Sequence, residues 1–325
     1  MNALCHESVS LKDIIPESFK DGPGAPMSGS EDMKDQSFLN MDEVYLNGQF
    51  ILRDKAMISP DDRGFLLGDS IYEVIRWYGG YFFDLPGHAA RLRRSLHETR
   101  IEWEDNSMFE EIAGELIQRN GLGTECAIVY FQVTRGVAPR THAFPDPPVK
   151  PTVYGFARRQ SINTLAAEQG VGIWLTPDPR WNRCDIKTTA LIANILPYQE
   201  AHDKGFAEVC FVRNGFVTEG AHSNIFFARD ETLYTHPENN DILSGITRKN
   251  VIAVAKANGV SVTEEAVAAD MIPYMSEAFI SNTTGEIVPV TRISEQVIGE
   301  GTPGTVTRRL QRLLREHIQS LDPHH

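Results

Sequence analysis

The stretch RWNRCDIKTTALIAN, residues 180–194, sets Lys187 between charged residues on one side and a small or apolar run on the other. Read alone, such a lysine is a surface residue at a helix start. Arg180, Trp181, Arg183 and Asp185, however, crowd the amine with charge and a bulky ring. Neighbouring cations and desolvation both favour the neutral amine that Schiff-base chemistry requires. Glu219, in VTEG, closes a hairpin strand. It is either a solvated turn acid or a carboxyl facing a pocket. In the second case it can keep a heterocyclic nitrogen protonated, the pairing that makes a pyridine ring an electron sink.

Three further stretches could hold anions. In LSGITRKNVIAV, Gly245 and Thr247 open a helix whose free N–H groups and positive dipole end suit a phosphate. SNTTGE offers hydroxyls at Thr283 and Thr284 after an apolar strand, and Arg91 offers a guanidinium on a helix crowded with other arginines. The loop TRGVAPRTHAFPDPPVKP, 134–151, is stiffened by prolines around Arg140 and His142. Those two side chains, two residues apart on extended backbone, present donors on one side, an arrangement suited to a carboxylate. Taken singly, Arg91 reads equally as a solvated helix arginine, and the loop as a plain Pro-rich connection.

The elements that must position these groups follow from pattern. VYLNGQFIL is a hairpin turned at Asn47-Gly48, and SIYEVIRWYGGYFFDL suggests two strands joined at Gly79-Gly80. PGHAARLRRSLHETRI and SMFEEIAGELIQRNG are helices, the second with Ser107 and Glu110 as a capping box. CAIVYFQVTRG and TVYGFAR complete a first α+β unit. The strand pattern fades in ARRQSINTLAAE, which places a small domain at 41–157, a linker at 158–168 and a second, larger domain at 169–325. That second half holds the strand GVGIWLT, the Lys187 loop, the helix ALIANILPYQEAHDKG, the hairpin AEVCFVRNGFVTEG, further strands, the helix TRKNVIAVAKANG and a last helix from about Gly304.

Composition narrows the class. The 325 residues are 41% hydrophobic and 23% charged, with a net charge of −13. This balance argues against nucleic-acid or anionic-membrane partners, which need basic patches. Cys5, Cys126, Cys184 and Cys210 have neither disulfide nor metal spacing and read as free thiols of the cytoplasm. FKDGPGAPMSGSEDMKDQS marks residues 1–40 as a flexible extension, with a short helix near 10–15. The terminal His324 and His325 are either native or a vector remnant.

Taken in order, DRGFLLGDSIYEVIR, QVTRGVAPRTHAFP, RWNRCDIKTTALIANILPYQEAH, VTEGAHSNIF, LYTHPENNDILSGITR and SNTTGEIVPV resemble the class IV pyridoxal-phosphate aminotransferases. The likeness runs from about Val44 to about Gln319 and is greatest to the members acting on D-amino acids. It implies an α+β, two-domain fold-type IV enzyme with pyridoxal 5'-phosphate at the domain interface, the larger domain binding it. It implies that Lys187 bonds the cofactor aldehyde and is the catalytic residue, and that Glu219 pairs with the pyridine nitrogen. Arg91, the backbone at Ile246 and Thr247, and Thr283 or Thr284 would hold the phosphate. Tyr72, Arg140 and His142 would trap the substrate α-carboxylate, the last two reaching in from the other subunit of a homodimer. The reaction implied carries the amino group of a D-amino acid such as D-alanine to 2-oxoglutarate, giving a 2-oxo acid and D-glutamate.

The Arg-x-His element favours that subgroup, since branched-chain aminotransferases and aminodeoxychorismate lyases usually lack it. Alternatives are a branched-chain L-amino acid or (R)-amine transaminase of the same class, or a cofactor-binding protein without turnover. One departure stands out. Close relatives carry a serine-rich EGSSSN where this chain has EGAHSN, so Ser223 carries over as a cofactor-binding residue, whereas Ala221 lacks a hydroxyl and His222 adds bulk and a titratable group near the expected phosphate side.

Overall fold

The Asn-Gly turn forms as its residue types dictate. Asn47 and Gly48 both adopt positive φ, 51° and 94°, and join β1 (Glu43–Leu46) to β2 (Gln49–Leu52) in a two-residue hairpin. The computed structural model describes residues 42–104 and 106–322. The extension expected at 1–40 with its short helix, Cys5, and the terminal histidines lie outside the described residues.

The hairpin edges a five-stranded antiparallel sheet with β3 (Ser70–Tyr78), β4 (Cys126–Thr134) and β5 (Val153–Arg159), in the order β2-β1-β5-β4-β3. A short helix, α1 (Arg63–Leu67), leads into β3. Helices α2 (Leu85–Thr99) and α3 (Phe109–Arg119) bury Leu92, Leu96, Ile112 and Leu116 against Ile71, Ile75 and Phe131 of the sheet. Two local expectations fail. The strand expected after Gly79-Gly80 shrinks to a single bridge between Trp77 and Phe82, because the chain turns at once into α2. The capping box at Ser107 and Glu110 does not form: a 3-10 turn over Asn106–Met108 runs into α3, so Met108 is the N-cap and no side chain caps it.

Beyond α4 (Thr164–Gln169), a nine-stranded mixed sheet contains β6 (Val171–Pro177), β7 (Glu208–Arg213), β8 (Phe216–Val217), β9 (Asn224–Arg229), β10 (Thr232–Thr235) and β11 (Ser261–Glu264). It is completed by β12 (Glu277–Asn282), β13 (Glu286–Ile293) and β14 (Gln296–Val297). The order is β11-β10-β9-β12-β13-β6-β7-β8, with β14 on β13. Alternation along β9 feeds two cores: Ile225 and Phe227 join Ile173, Ala278 and Val290, whereas Phe226 joins Phe279 and Leu310. Helix α5 (Ile192–Asp203) packs on β7, while α6 (Ile246–Ala257) and α7 (Thr305–Ser320) close the Phe226 side. Among the described residues no helix is long and apolar enough to cross a membrane.

Candidate active site

Lys187 belongs to the second half of the sequence, but its backbone docks on the first sheet. The Tyr72 N–H donates to the Lys187 carbonyl at 2.9 Å, Thr188 bridges Ile71, and the Thr188 hydroxyl donates to the Ser70 carbonyl at 3.0 Å. Ile186 sinks into the first core beside this edge. The segment thus acts as a fragment of strand on β3, leaving the lysine side chain over a cleft between the two sheets. There Nζ lies 4.4 Å from the centroid of the Tyr72 ring, which itself stacks on Tyr130.

The expected crowding by arginines does not occur. Arg183 turns to Glu98 and Asp185, and Arg180 turns to Asp178 and Glu219. Each cation is drawn to a nearby carboxylate, since an unpaired charge at a half-buried position is costly.

Glu219 is not a solvated turn acid, being only 4% exposed. Its Oε1 accepts from Arg180 at 2.5 Å and from the Leu243 N–H at 3.0 Å, and its Oε2 accepts from Asn224 at 3.0 Å. Burial pushes its pKa up to about 7, against the downward pull of the Arg180 charge and hydrogen bonds. A carboxyl poised there can share a proton with a basic ring nitrogen near neutrality. Arg180 carries the larger part of its own bonding to Asp178, through Nε at 2.9 Å and a terminal nitrogen at 2.8 Å.

Arg91 is likewise buried. Its Nε and one terminal nitrogen grip both oxygens of Glu73 at 2.7 and 2.8 Å, and the other donates to the Ser244 carbonyl at 3.0 Å. His88 adds a third bond to Glu73, at 2.9 Å. Burial alone would raise the Glu73 carboxyl, but the Arg91 charge holds it well below the usual carboxylate range. The same Arg91 stands at the cleft wall, next to the first turn of α6.

That turn starts at Gly245, the N-cap, which offers no capping side chain. A Cβ at Gly245 would meet Asn224 Oδ1 at 2.0 Å, so glycine keeps Asn224 and the open N–H groups side by side. Ile246, Thr247 and Thr283 line the cleft. Thr284 lies outside this wall: its hydroxyl donates to Asn282 at 3.1 Å and its carbonyl accepts from Arg76. Ser281 lines the same cleft, and its buried hydroxyl has no hydrogen-bond partner among the described residues. An amine, a buried carboxyl, a guanidinium beside an uncapped helix start and an unsatisfied hydroxyl form a donor set that fits pyridoxal phosphate.

The loop at 219–224 surrounds a second buried carboxyl. Glu208 accepts from the Val209 N–H at 2.8 Å, the Ala221 N–H at 3.0 Å and the Ser223 hydroxyl at 2.9 Å, and it pairs with His222. Ser223 therefore directs its hydroxyl at Glu208. Arg140 and His142 are exposed and do not line this chain's cleft. Their loop is nevertheless fixed: Arg63 donates to the Thr141 carbonyl at 2.7 Å, and the Arg135 guanidinium lies 3.6 Å from the Phe144 ring centroid.

Glu73, Asp178, Glu208 and Ser281 also belong to the site or its supports, and residue type alone does not single them out. For Glu73 a signal existed: it alternates with Ile71, Ile75 and Trp77, all on the core side of β3, so its charge had to be buried and paired. Asp178 and Glu208 become legible only once distant strands are paired.

The comparisons agree with this geometry. The amino-transferase class IV family profile matches residues 70–293. The chain is 39% identical over 284 residues to a D-alanine aminotransferase of Staphylococcus epidermidis, covering 86% of this chain and 99% of that one. It is 38% identical over 283 residues to a D-alanine aminotransferase of Bacillus licheniformis, covering 86% and 98%. Among solved structures, the branched-chain amino acid aminotransferase of Escherichia coli superposes with a TM-score of 0.78 at 26% identity, covering 84% of this chain and 93% of that one. A second branched-chain amino acid aminotransferase, from T.th. and solved with pyridoxamine 5'-phosphate, gives 0.80 at 26%, covering 88% and 97%. The protein belongs to the class IV aminotransferases, and its α+β fold is theirs.

Proposed function

We propose that the protein is a pyridoxal-phosphate-dependent transaminase that moves the amino group of a D-amino acid, such as D-alanine, to 2-oxoglutarate, yielding a 2-oxo acid and D-glutamate. The observation that carries this reading is the convergence of Lys187, Glu219 and the Arg91–α6 anion cradle on one cleft. Relatives named D-alanine aminotransferase over most of the chain support the D-amino acid. The bound cofactor supplies an electron sink that acidifies the substrate Cα–H.

The chain's own groups do the rest. Lys187 Nζ, seated over Tyr72, would bond the cofactor aldehyde between turnovers; displaced there by the substrate amine, it would be free to take the proton from Cα and deliver it to the former aldehyde carbon on the other side of the substrate nitrogen. Glu219 keeps a proton on the ring nitrogen. Arg91, the N–H groups of Ile246 and Thr247, and the Thr283 hydroxyl hold the phosphate, with Thr284 bracing the turn behind it. Ser223 fixes the wall loop through Glu208.

Tyr72 with Arg140 and His142 receives the α-carboxylate, the last two contributed by the other subunit of a homodimer. Their exposure on a braced loop supports that assignment. We read 41–157 and 169–325 as two domains joined through 158–168, with the cofactor between them. The free thiols Cys126, Cys184 and Cys210 suit a cytoplasmic enzyme.

The structural likeness to branched-chain aminotransferases favours one rival, an L-specific enzyme. A panel of D- and L-alanine and D- and L-leucine with 2-oxoglutarate separates the two. Turnover of the D-enantiomers with D-glutamate as product is expected; turnover of L-leucine but not D-alanine would replace this reading with the rival.

A further inference from the structure

Exposure along the loop 219–224 is uneven. Glu219, Ser223 and Asn224 are buried at 4, 6 and 5%, whereas the His222 side chain is 54% exposed and still lines the cleft. Glu219, Ser223 and Asn224 thus lie deep in the fold, and His222 is the exposed member of the loop at the cleft wall. Its ring is fixed on two sides. Nδ1 pairs with the fully buried Glu208, and the ring meets Tyr198 of α5 edge-on at 5.3 Å between centroids. Asn194 ties the same helix to the loop by donating to the Ala221 carbonyl at 2.8 Å. With Nδ1 held by a carboxylate, Nε2 is the ring nitrogen left to bond a ligand.

The charge inventory of the cleft gives this edge a use. Its lining cations are Arg91, Arg180, Lys187 and His222. Arg91, braced by Glu73 and Ser244, is taken by the phosphate, Arg180 is committed to Asp178 and Glu219, and Lys187 is the reacting amine. Burial pulls the His222 pKa down, but the Glu208 charge and hydrogen bond outweigh it, and the net shift is upward. A dicarboxylic 2-oxo acid brings a second carboxylate that the Arg140–His142 trap does not satisfy.

We infer that His222, oriented by Glu208, is a specificity-determining residue that receives the distal carboxylate of a dicarboxylic substrate, 2-oxoglutarate as acceptor and D-glutamate in reverse. The inference rests on the transamination reading above and names the group that selects its acceptor. It also gives the departure from the serine-rich loop a chemical meaning: a serine offers a neutral hydroxyl, and an imidazole biased toward its protonated form by a carboxylate offers a ring N–H that can carry charge.

The test compares 2-oxoglutarate with pyruvate as acceptor for D-2-aminobutyrate, a donor distinct from the product of either acceptor, in the full-length holoenzyme and in His222→Ser and His222→Gln. In both variants the ratio of kcat/KM for 2-oxoglutarate to that for pyruvate should fall about tenfold or more, as for loss of one charge-assisted hydrogen bond. The change should lie mainly in the KM for 2-oxoglutarate. Calorimetric titration with glutarate, which binds without reacting, should show a comparable rise in Kd, while butyrate binding changes much less. Equal losses for both acceptors, or an unmoved ratio and unmoved glutarate affinity, would overturn the inference and make His222 a brace for the loop. If the unaltered enzyme transfers no amino group from a D-amino acid to any 2-oxo acid, the transamination reading itself fails and takes this one with it.

Discussion

Glu73 and Glu219 are both buried carboxyls paired with an arginine, one on each sheet, and they are shifted in opposite directions. The difference lies in how much of each arginine the carboxyl receives. Arg91 gives Glu73 a two-pronged grip, and His88 adds a bond. Burial of the pair is thereby offset, and Glu73 stays ionised as a fixed brace for the phosphate-holding guanidinium. Arg180 instead turns its fork to Asp178 and gives Glu219 one N–H. Asp178, itself fully buried, also repels the Glu219 charge. The first carboxyl is structural and the second is left poised near neutrality, where a proton can be exchanged with a ring nitrogen.

Separating these roles is the sharpest use of mutagenesis. Glu219→Gln should lower turnover by about 10²–10⁴-fold, the usual range for a lost proton-handling group, with the fold kept. Stopped-flow absorbance on a D-alanine half-reaction reads it, and an unchanged rate removes Glu219 from the ring. The pH sign follows from its raised pKa. In cofactor-free protein Glu219 favours folding below about pH 4.5, and that contribution is lost as pH rises through about 7. The variant should therefore gain stability relative to wild type across that window.

Glu73→Gln should do the reverse, costing about 3–5 kcal/mol of stability because Arg91 is left buried without its counter-charge. Denaturant unfolding measures the loss, and cofactor retention should weaken with it. Since the Glu73 pKa is lowered, its contribution is present above about pH 4.5 and fades as pH falls below that. The gap between variant and wild type should thus close in acid, and a gap that widens there would reverse the assignment.

Asp178→Asn carries the smallest effect and tests the explanation directly. It frees Arg180 to bond Glu219 more fully and removes a repelling charge, so the Glu219 pKa should drop by about one unit. Carbon-13 chemical-shift titration of glutamate-labelled, cofactor-free protein would detect it; an upward shift would show that Asp178 supports the carboxyl instead of competing with it.

Much of the frame was legible because local rules act on neighbours. The Asn47-Gly48 hairpin follows from two residues tolerating positive φ, and α2 from apolar spacing behind Pro86. The capping box at Ser107 was misread because a 3-10 turn from Asn106 displaced the helix start, a choice tertiary packing makes as readily as sequence. In the candidate site, the residue types of Lys187, Glu219 and Arg91 were visible, but their surroundings were not. Lys187 looked crowded by arginines that in fact face carboxylates, and Glu219 and Arg91 looked as much like surface charges as buried ones.

The sequence by itself determined the α+β character, the hairpins, the helices, the family and the order in which its motifs recur, because these rest on periodicity, turn chemistry and short-range spacing. Only the tertiary structure decided which arginine serves which carboxylate, that Lys187 docks on the edge of β3 beside Tyr72, and that His222 rests on Glu208. Most of those pairings join residues far apart in the chain. Burial and competition among partners, which spacing cannot encode, fix the charge that each group carries.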